Sequence, residues 1–392
     1  MFSKLVLVLW SCVGLVWWAL AWRLVAADRR KGGAAPDAAE RQTLTVFKPL
    51  PPLGAIGIEA VSAGLESFAA QIDSESELLV GVHEADREMT TPLLDRLQAE
   101  HPRAKIKVVF RCRPDDAANP KIAWQKILAP HAEGELWLWS DADIVAPAGF
   151  LESARLEYAR SGAAMMTFPY VVRDIPSPPA LLEALFVNVE FYPGVLLLRK
   201  FGPVDFGLGA AMLFQRDDFV RRVDWDEIGT WLADDFFLGQ KLRPVRIGTT
   251  AVATVAGAPT WRDALLHDFR WAKTIRWNRP IGSFARIVIL PVLGWLVAVA
   301  LHPFHFFAWL GLLGMIQAEV FFAAAICRKA GCRLKLGNLL SMEIWSLWRI
   351  LLWFLCWLPW PVAWSGKIWW GPRVKFNDEI KPARAEEPAG SR

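Results

Sequence analysis

Leu136-Trp137-Leu138-Trp139-Ser140-Asp141-Ala142-Asp143 is the stretch on which the fold is decided. Four apolar residues bounded by polar ones are too few for a helix and read as a buried strand. This strand ends on two carboxylates one residue apart. Upstream, Leu44-Thr45-Val46-Phe47, Leu78-Leu79-Val80-Gly81-Val82 and Ile106-Lys107-Val108-Val109-Phe110 are runs of the same kind. Helical patterns lie between them, around Ile58 to Gln71, near Pro92 to Glu100 and from about Lys121. Strands alternating with helices of about 10–15 residues predict βαβ units, and so an α/β fold on a mostly parallel sheet.

Ligands of such sheets bind beyond the carboxyl ends of the strands. There the sequence offers His83-Glu84-Ala85-Asp86 after the second run and Ser140-Asp141-Ala142-Asp143 after the fourth. An Asp-x-Asp at a strand end can hold a divalent cation, since Mg²⁺ is commonly bound by one or two carboxylates plus substrate phosphates. Aspartate is also frequent in turns for its backbone bonding alone. No GxxxxGK[ST] or GxGxxG follows a strand, which excludes P-loop and Rossmann cradles. Further on, Asp234-Asp235 stands between Trp231-Leu232-Ala233 and Phe236-Phe237-Leu238. A carboxylate there suits a general base or the first turn of a helix. His267-Asp268-Phe269-Arg270-Trp271, with Lys273 and Arg276-Trp277 beyond, could neutralise a departing diphosphate or anchor at a membrane interface.

Hydrophobicity is unevenly placed. Leu5 to Trp22 carries no charge over eighteen residues, enough to cross a bilayer core of about 30 Å. That run exceeds the apolar part of a signal peptide, about 7–15 residues, although Ala26-Ala27 resembles a cleavage site. Residues 1–27 therefore read as a retained transmembrane helix and 28–42 as a linker. From Ile287 to Cys327 the only carboxylate is Glu319, and Pro303 lies near the middle, which predicts two spanning helices. The block from Leu339 to Trp364 holds Glu343, Arg349, Pro359 and Pro361, and suits a re-entrant or interfacial segment as well as a crossing. Basic clusters at Arg29-Arg30-Lys31, Arg328-Lys329 with Arg333 and Lys335, and Lys367 with Arg373 and Lys375 place the body of the chain in the cytoplasm. The expected division is a catalytic domain over 43–280, a membrane region over 281–366 and a cytoplasmic tail over 367–392, disordered from 377. A net charge of +4, from 44 Lys+Arg against 40 Asp+Glu, excludes nucleic acid as partner. Five scattered cysteines with no CxxC exclude a disulfide framework or structural zinc and fit a reducing compartment.

In order, these pieces resemble the family 2/21-type inverting glycosyltransferases, specifically the ceramide glucosyltransferase family with its bacterial ceramide and hopanoid relatives. The resemblance covers residues 1 to 376. It rests on Phe47-Lys48-Pro49-Leu50, Asn119-Pro120-Lys121-Ile122, Asp141, Phe168-Pro169-Tyr170-Val171, Asp234-Asp235-Phe236-Phe237 and Arg270-Trp271. The chain departs from the family pattern at Glu84, where an aspartate is usual and Asp86 follows two positions later. It departs again at His267, where the (Q/R)xxRW motif begins; Lys273-Thr274-Ile275-Arg276-Trp277 is an alternative register.

The resemblance implies a GT-A-like domain, a UDP-sugar donor and Mg²⁺ or Mn²⁺. Glu84 or Asp86 would lie near the base and ribose, with Lys121, Asp141 and Asp234 also on the nucleotide sugar. Asp141 and Asp143 would hold the metal, Asp235 would be the base, and His267, Arg270 and Trp271 would serve leaving group and acceptor. It also implies an integral protein of the bacterial inner membrane that glycosylates a lipid hydroxyl such as that of ceramide. The alternatives are a hopanoid or polyprenyl-phosphate acceptor, or an inactive membrane scaffold.

Overall fold

The computed structural model describes residues 2–28, 42–53, 57–112, 117–255, 257, 260–332, 334–335 and 337–374. The expected disordered tail, and all of the expected linker except Asp28 and Gln42, lie outside the described residues.

Helix α1 (Phe2–Asp28) opens the chain. Then β1 (Leu44–Pro49), α2 (Ile58–Ala69), β2 (Ser76–His83), α3 (Arg87–Glu100), β3 (Lys105–Arg111), α4 (Pro120–Leu128) and β4 (Leu136–Ser140) alternate as predicted. These four strands lie in the order β3-β2-β1-β4, all parallel. After α5 (Phe150–Ser161) come β5 (Met165–Thr167), β6 (Tyr170–Asp174), a long helix over residues 178–199, and β7 (Ala211–Gln215). Strand β7 runs antiparallel between β4 and β5. The long helix consists of α6 (Pro178–Leu185), a π-helical turn Phe186–Phe191, and α7 (Tyr192–Arg199). Next are α8 (Arg216–Arg222), a one-turn helix Trp225–Ile228, α9 (Asp234–Lys241), β8 (Val245–Ile247) beside β5, and β9 (Val252–Val255) paired with β6. Helices α10 (Trp261–Asn278), α11 (Pro280–Ala285), α12 (Pro291–Leu301), α13 (Phe306–Ala330) and α14 (Asn338–Leu355) precede the hairpin β10 (Val362–Trp364)–β11 (Lys367–Trp369).

Side-chain alternation explains the layers, because successive strand residues face opposite sides. Leu44, Val46, Leu78, Val80, Leu136 and Leu138 pack on α2, α3 and α5. Phe47, Leu79, Trp137 and Trp139 pack on the other face with α4, α8 and α9. Among the described residues, three helices are long and apolar enough to cross a membrane, residues 4–28, 178–199 and 306–330, and the bent pair Pro280–Ile289 and Pro291–Leu301 makes a fourth if its two arms count as one span. The second, which the sequence reading did not single out, is mostly buried inside the protein. Helix α12, with eleven residues, is only about 16 Å long and meets the preceding helical segment at 63°. The region from 287 to 327 thus holds one full-length helix, preceded by the second arm of a bent pair that is long enough to span only when both arms are taken together. Pro359 and Pro361 fall after α14 ends and do not interrupt it.

Helix α2 meets the loop after β4 at Gly64, where an added Cβ would stand 2.2 Å from the carbonyl oxygen of Ala142. Gly64→Ala is expected to cost about 1–3 kcal/mol of stability, the usual scale of core overpacking. Thermal unfolding tests this; an unchanged midpoint would contradict the close approach.

Candidate active site

The chain steps from β1 to β2 to β3 on one side, then returns to the other side of β1 as β4. The carboxyl ends of β1 and β4 therefore border the crevice where the strand order reverses, the usual ligand site of such sheets. Lys48 is fully buried at the end of β1. Its Nζ donates to the carbonyls of Asp141 at 2.6 Å and Ile144 at 2.9 Å, and lies over the Phe68 ring. It thereby grips the loop carrying Asp141 and Asp143. Burial drives its pKa down to about 7 although Asp143 and Asp141 oppose the shift.

Asn119 caps α4, its Oδ1 accepting from the amides of Lys121 (3.0 Å) and Ile122 (3.4 Å), with Pro120 in the first turn where a missing N–H costs nothing. The same amide donates to Trp231 O at 3.0 Å and Asp234 Oδ1 at 3.4 Å. Lys121 Nζ reaches Asp141 Oδ1 at 2.6 Å, Asp234 Oδ2 at 3.5 Å and Gly209 O at 3.2 Å. Asp235 Oδ2 accepts from Gly209 N at 3.0 Å and its Oδ1 from Phe236 N at 2.7 Å. Gly209 is the meeting point: a Cβ there would lie 3.5 Å from Asp235 Oδ2, 3.6 Å from Lys121 Nζ and 3.8 Å from Asp141 Oδ2. Strand β9 brings Thr254, whose hydroxyl donates to Asp143 Oδ2 at 2.6 Å.

Electrostatics sharpen the picture. Burial works against the Lys121 ammonium, but Asp141 and Asp234 outweigh it and raise its pKa. Burial, then Asp234, pushes Asp235 up to about 7. Burial and Asp141 raise Asp143. Four carboxyl groups thus crowd around Lys121 and a Lys48 driven toward neutrality, a deficit of positive charge that fits a divalent cation at Asp141 and Asp143. The side-chain-free space at Gly209 gives room beside it.

Glu84 and Asp86 follow β2 on the same edge of the sheet. Glu84 is exposed and paired with Arg87 at 2.6 and 3.0 Å, which lowers its pKa. Asp86 Oδ2 accepts from Leu53 N at 3.2 Å, tying the loop after β1 to the end of β2. From α10, Arg270 is partly buried, and its guanidinium lies over the Trp364 ring at 5.9 Å. Burial lowers its pKa to about 10, against the pull of Glu183 on α6, then Tyr170, then Asp141. Burial and Arg270 hold His267 down to about 3, which makes it a neutral ring at pH 7, packed 4.7 Å from Trp271. Trp271 lines an aromatic wall with Phe186 (5.4 Å), Tyr170 (6.3 Å) and Phe191 (6.5 Å). In the alternative register, Arg276 lies over Trp357 and Lys273 over Trp277, on the side of the α14 terminus.

The geometry adds the roles of Lys48, Asn119 and Gly209, which the sequence reading did not assign. A lysine closing an apolar strand and the Gly207-Leu208-Gly209 run were the visible signals.

The profile of glycosyl transferase family 21 matches residues 6–373. No curated protein matches the sequence. Among solved structures, a mannosyltransferase from Pyrobaculum calidifontis in complex with GDP-Man and Mn²⁺ is 16% identical, with a TM-score of 0.49 over 88% of this chain and 99% of its own. TarS (residues 1–349) of S. aureus in complex with UDP-GlcNAc is 11% identical, with a TM-score of 0.38 over 86% and 97%. GalNAc-T7 with UDP, GalNAc and Mn²⁺ is 12% identical, with a TM-score of 0.40 over 61% and 51%. No donor or metal passes to this chain on likeness of that order.

A carboxyl whose folded pKa is raised stabilises the fold below its unfolded pKa, and that contribution is lost as pH rises through the folded value. Asp235 and Asp268 are both raised to about 7, so the thermal midpoint should fall between about pH 4 and pH 7. Asp235→Asn should flatten part of this slope. An identical pH profile for variant and wild type would contradict the raised value.

Proposed function

The chain belongs to glycosyl transferase family 21, and from that premise we propose that it transfers a hexose, with inversion, from a UDP-sugar to a membrane-lipid hydroxyl. The observation that carries this reading is the convergence of Asp141, Lys121 and Asp235 on Gly209 at the reversal of strand order. Glucose as the sugar and ceramide as the acceptor are the specific choices, since the family includes ceramide glucosyltransferase. Helices able to cross a membrane near both termini support an integral protein. We place it in a bacterial inner membrane with the cleft on the cytoplasmic side.

Asp235 is the general base. Its pKa of about 7 keeps a large fraction ionised at neutral pH while leaving it basic enough to take a hydroxyl proton. The hydroxyl oxygen then bonds the anomeric carbon as the bond to the diphosphate oxygen breaks on the opposite face. Asp141 and Asp143 would hold Mg²⁺ or Mn²⁺, which when bound neutralises charge on the diphosphate. Lys121 and Arg270 supply fixed positive charge to the leaving group, which needs no reorganisation as the bond breaks. Asp234 holds Lys121 and, through Asn119, the start of α4. Asp86, joined to the loop after β1, is better placed than the surface-paired Glu84 to meet the base and ribose. Trp271 and Tyr170 form an apolar wall for the acceptor, with neutral His267 behind them.

Asp235→Asn should lower kcat about 10²–10⁴-fold, the usual worth of a positioned base, while nucleotide binding survives. Wild-type kcat should fall about tenfold per pH unit below pH 7. Near-normal turnover of Asp235→Asn would remove the base. Asp141→Ala should abolish metal-dependent UDP binding, measured by calorimetry; unchanged binding would remove the metal role. Lipid mass spectrometry after incubation with a panel of UDP-sugars and ceramide, hopanoid or polyprenyl-phosphate acceptors identifies the product.

A further inference from the structure

The last described residues return from α14 to the strand-end crevice. Strands β10 and β11 form a hairpin through Ser365 and Gly366, both with positive φ (50° and 75°), as a two-residue turn between twisted strands requires. The chain then runs along the loop that leads into Asp234-Asp235. Leu232 N donates to Pro372 O and Val374 N to Thr230 O, both at 3.0 Å, and Arg373 Nε donates to Thr230 Oγ1 at 3.0 Å. From the hairpin, Lys367 Nζ donates to Ala117 O at 3.0 Å, two residues before the cap of the Lys121 helix. Trp364 lies under Arg270. Trp369 is fully buried in a small core with Leu232 and Val362, against which Ala118, Phe269, Trp277, Trp364 and Val374 pack.

That core joins the three elements presenting Lys121, Asp235 and Arg270. Asn119 N donates to Gly229 O at 2.9 Å, so the two loops held by the hairpin are also fastened to each other. We propose that residues 362–374 form a strap that sets the active geometry, with Trp364 and Lys367 as positioning residues for Arg270 and for the loops before Lys121 and Asp235. This inference rests on the roles assigned above to Asp235 and Arg270. It adds a segment far from them in sequence that sets their relative positions without touching the reacting atoms.

The test uses the full chain carrying Trp364→Ala, Trp364→Phe or Lys367→Met. It measures kcat, UDP affinity, and hydrogen exchange of the backbone amides from 229 to 237. Trp364→Ala and Lys367→Met should lower kcat by up to about 10²-fold, the scale for reacting groups displaced by an ångström. UDP affinity should stay within about threefold, exchange should quicken at Thr230 to Leu232, and Trp364→Phe should restore most of the loss. Wild-type kcat with unchanged exchange would overturn the proposal, as would exchange that rises equally across the central sheet. Exchange judges the strap whatever the acceptor, whereas Asp235→Asn judges the base, so the two failures are distinguishable.

Discussion

One buried ammonium group organises the crevice. Lys121 sits within ion-pairing distance of Asp141 and Asp234 and is held charged partly by Asp235. These acids come from the end of β4 and the start of α9, elements that no local interaction would bring together. A buried charge is costly unless paired, and removing one partner of such a pair leaves the other uncompensated. The cluster therefore selects one relative placement of the three segments. Its remaining excess of negative charge makes the arrangement receptive to a cation.

The sheet makes that selection possible. Parallel β1 and β4, in register from Leu44 opposite Leu136 to Phe47 opposite Trp139, bring Lys48 and Asp141 to the same edge. Lys48 then spends its donors on backbone carbonyls of the loop beyond β4, holding the Asp-x-Asp from beneath. Gly64 lets α2 lie directly against that loop. Precision at the crevice thus comes from backbone contacts below it as much as from the charges above.

The alternating strands and helices up to β4 were legible because each carries its own periodicity. Asp141 and Asp235 could be picked out because carboxylates beside apolar runs at strand and helix ends are locally conspicuous. What remained hidden was long-range. The apolar stretch 178–199 was not singled out, and a π-helical turn leaves no simple mark. His267 occupies a motif position that takes glutamine or arginine, and only burial reveals that its ring is neutral. The β10–β11 hairpin and the residues after it fell across the expected edge between membrane region and tail, since their partners at Ala117 and Thr230 lie more than a hundred residues upstream.

Helix α1 ends in a similar long-range contact. Asp28 accepts from Tyr192 Oη at 2.5 Å and pairs with Arg199 on α7, while Trp10 Nε1 donates to Val288 O and Trp295 Nε1 to Ser11 Oγ. These contacts fasten α1 at several heights, so that it acts as a strut. The axis of this one helix is therefore set against α7 and against the helical segments on either side of Leu290, so the opening helix and the body that carries the crevice turn as one piece.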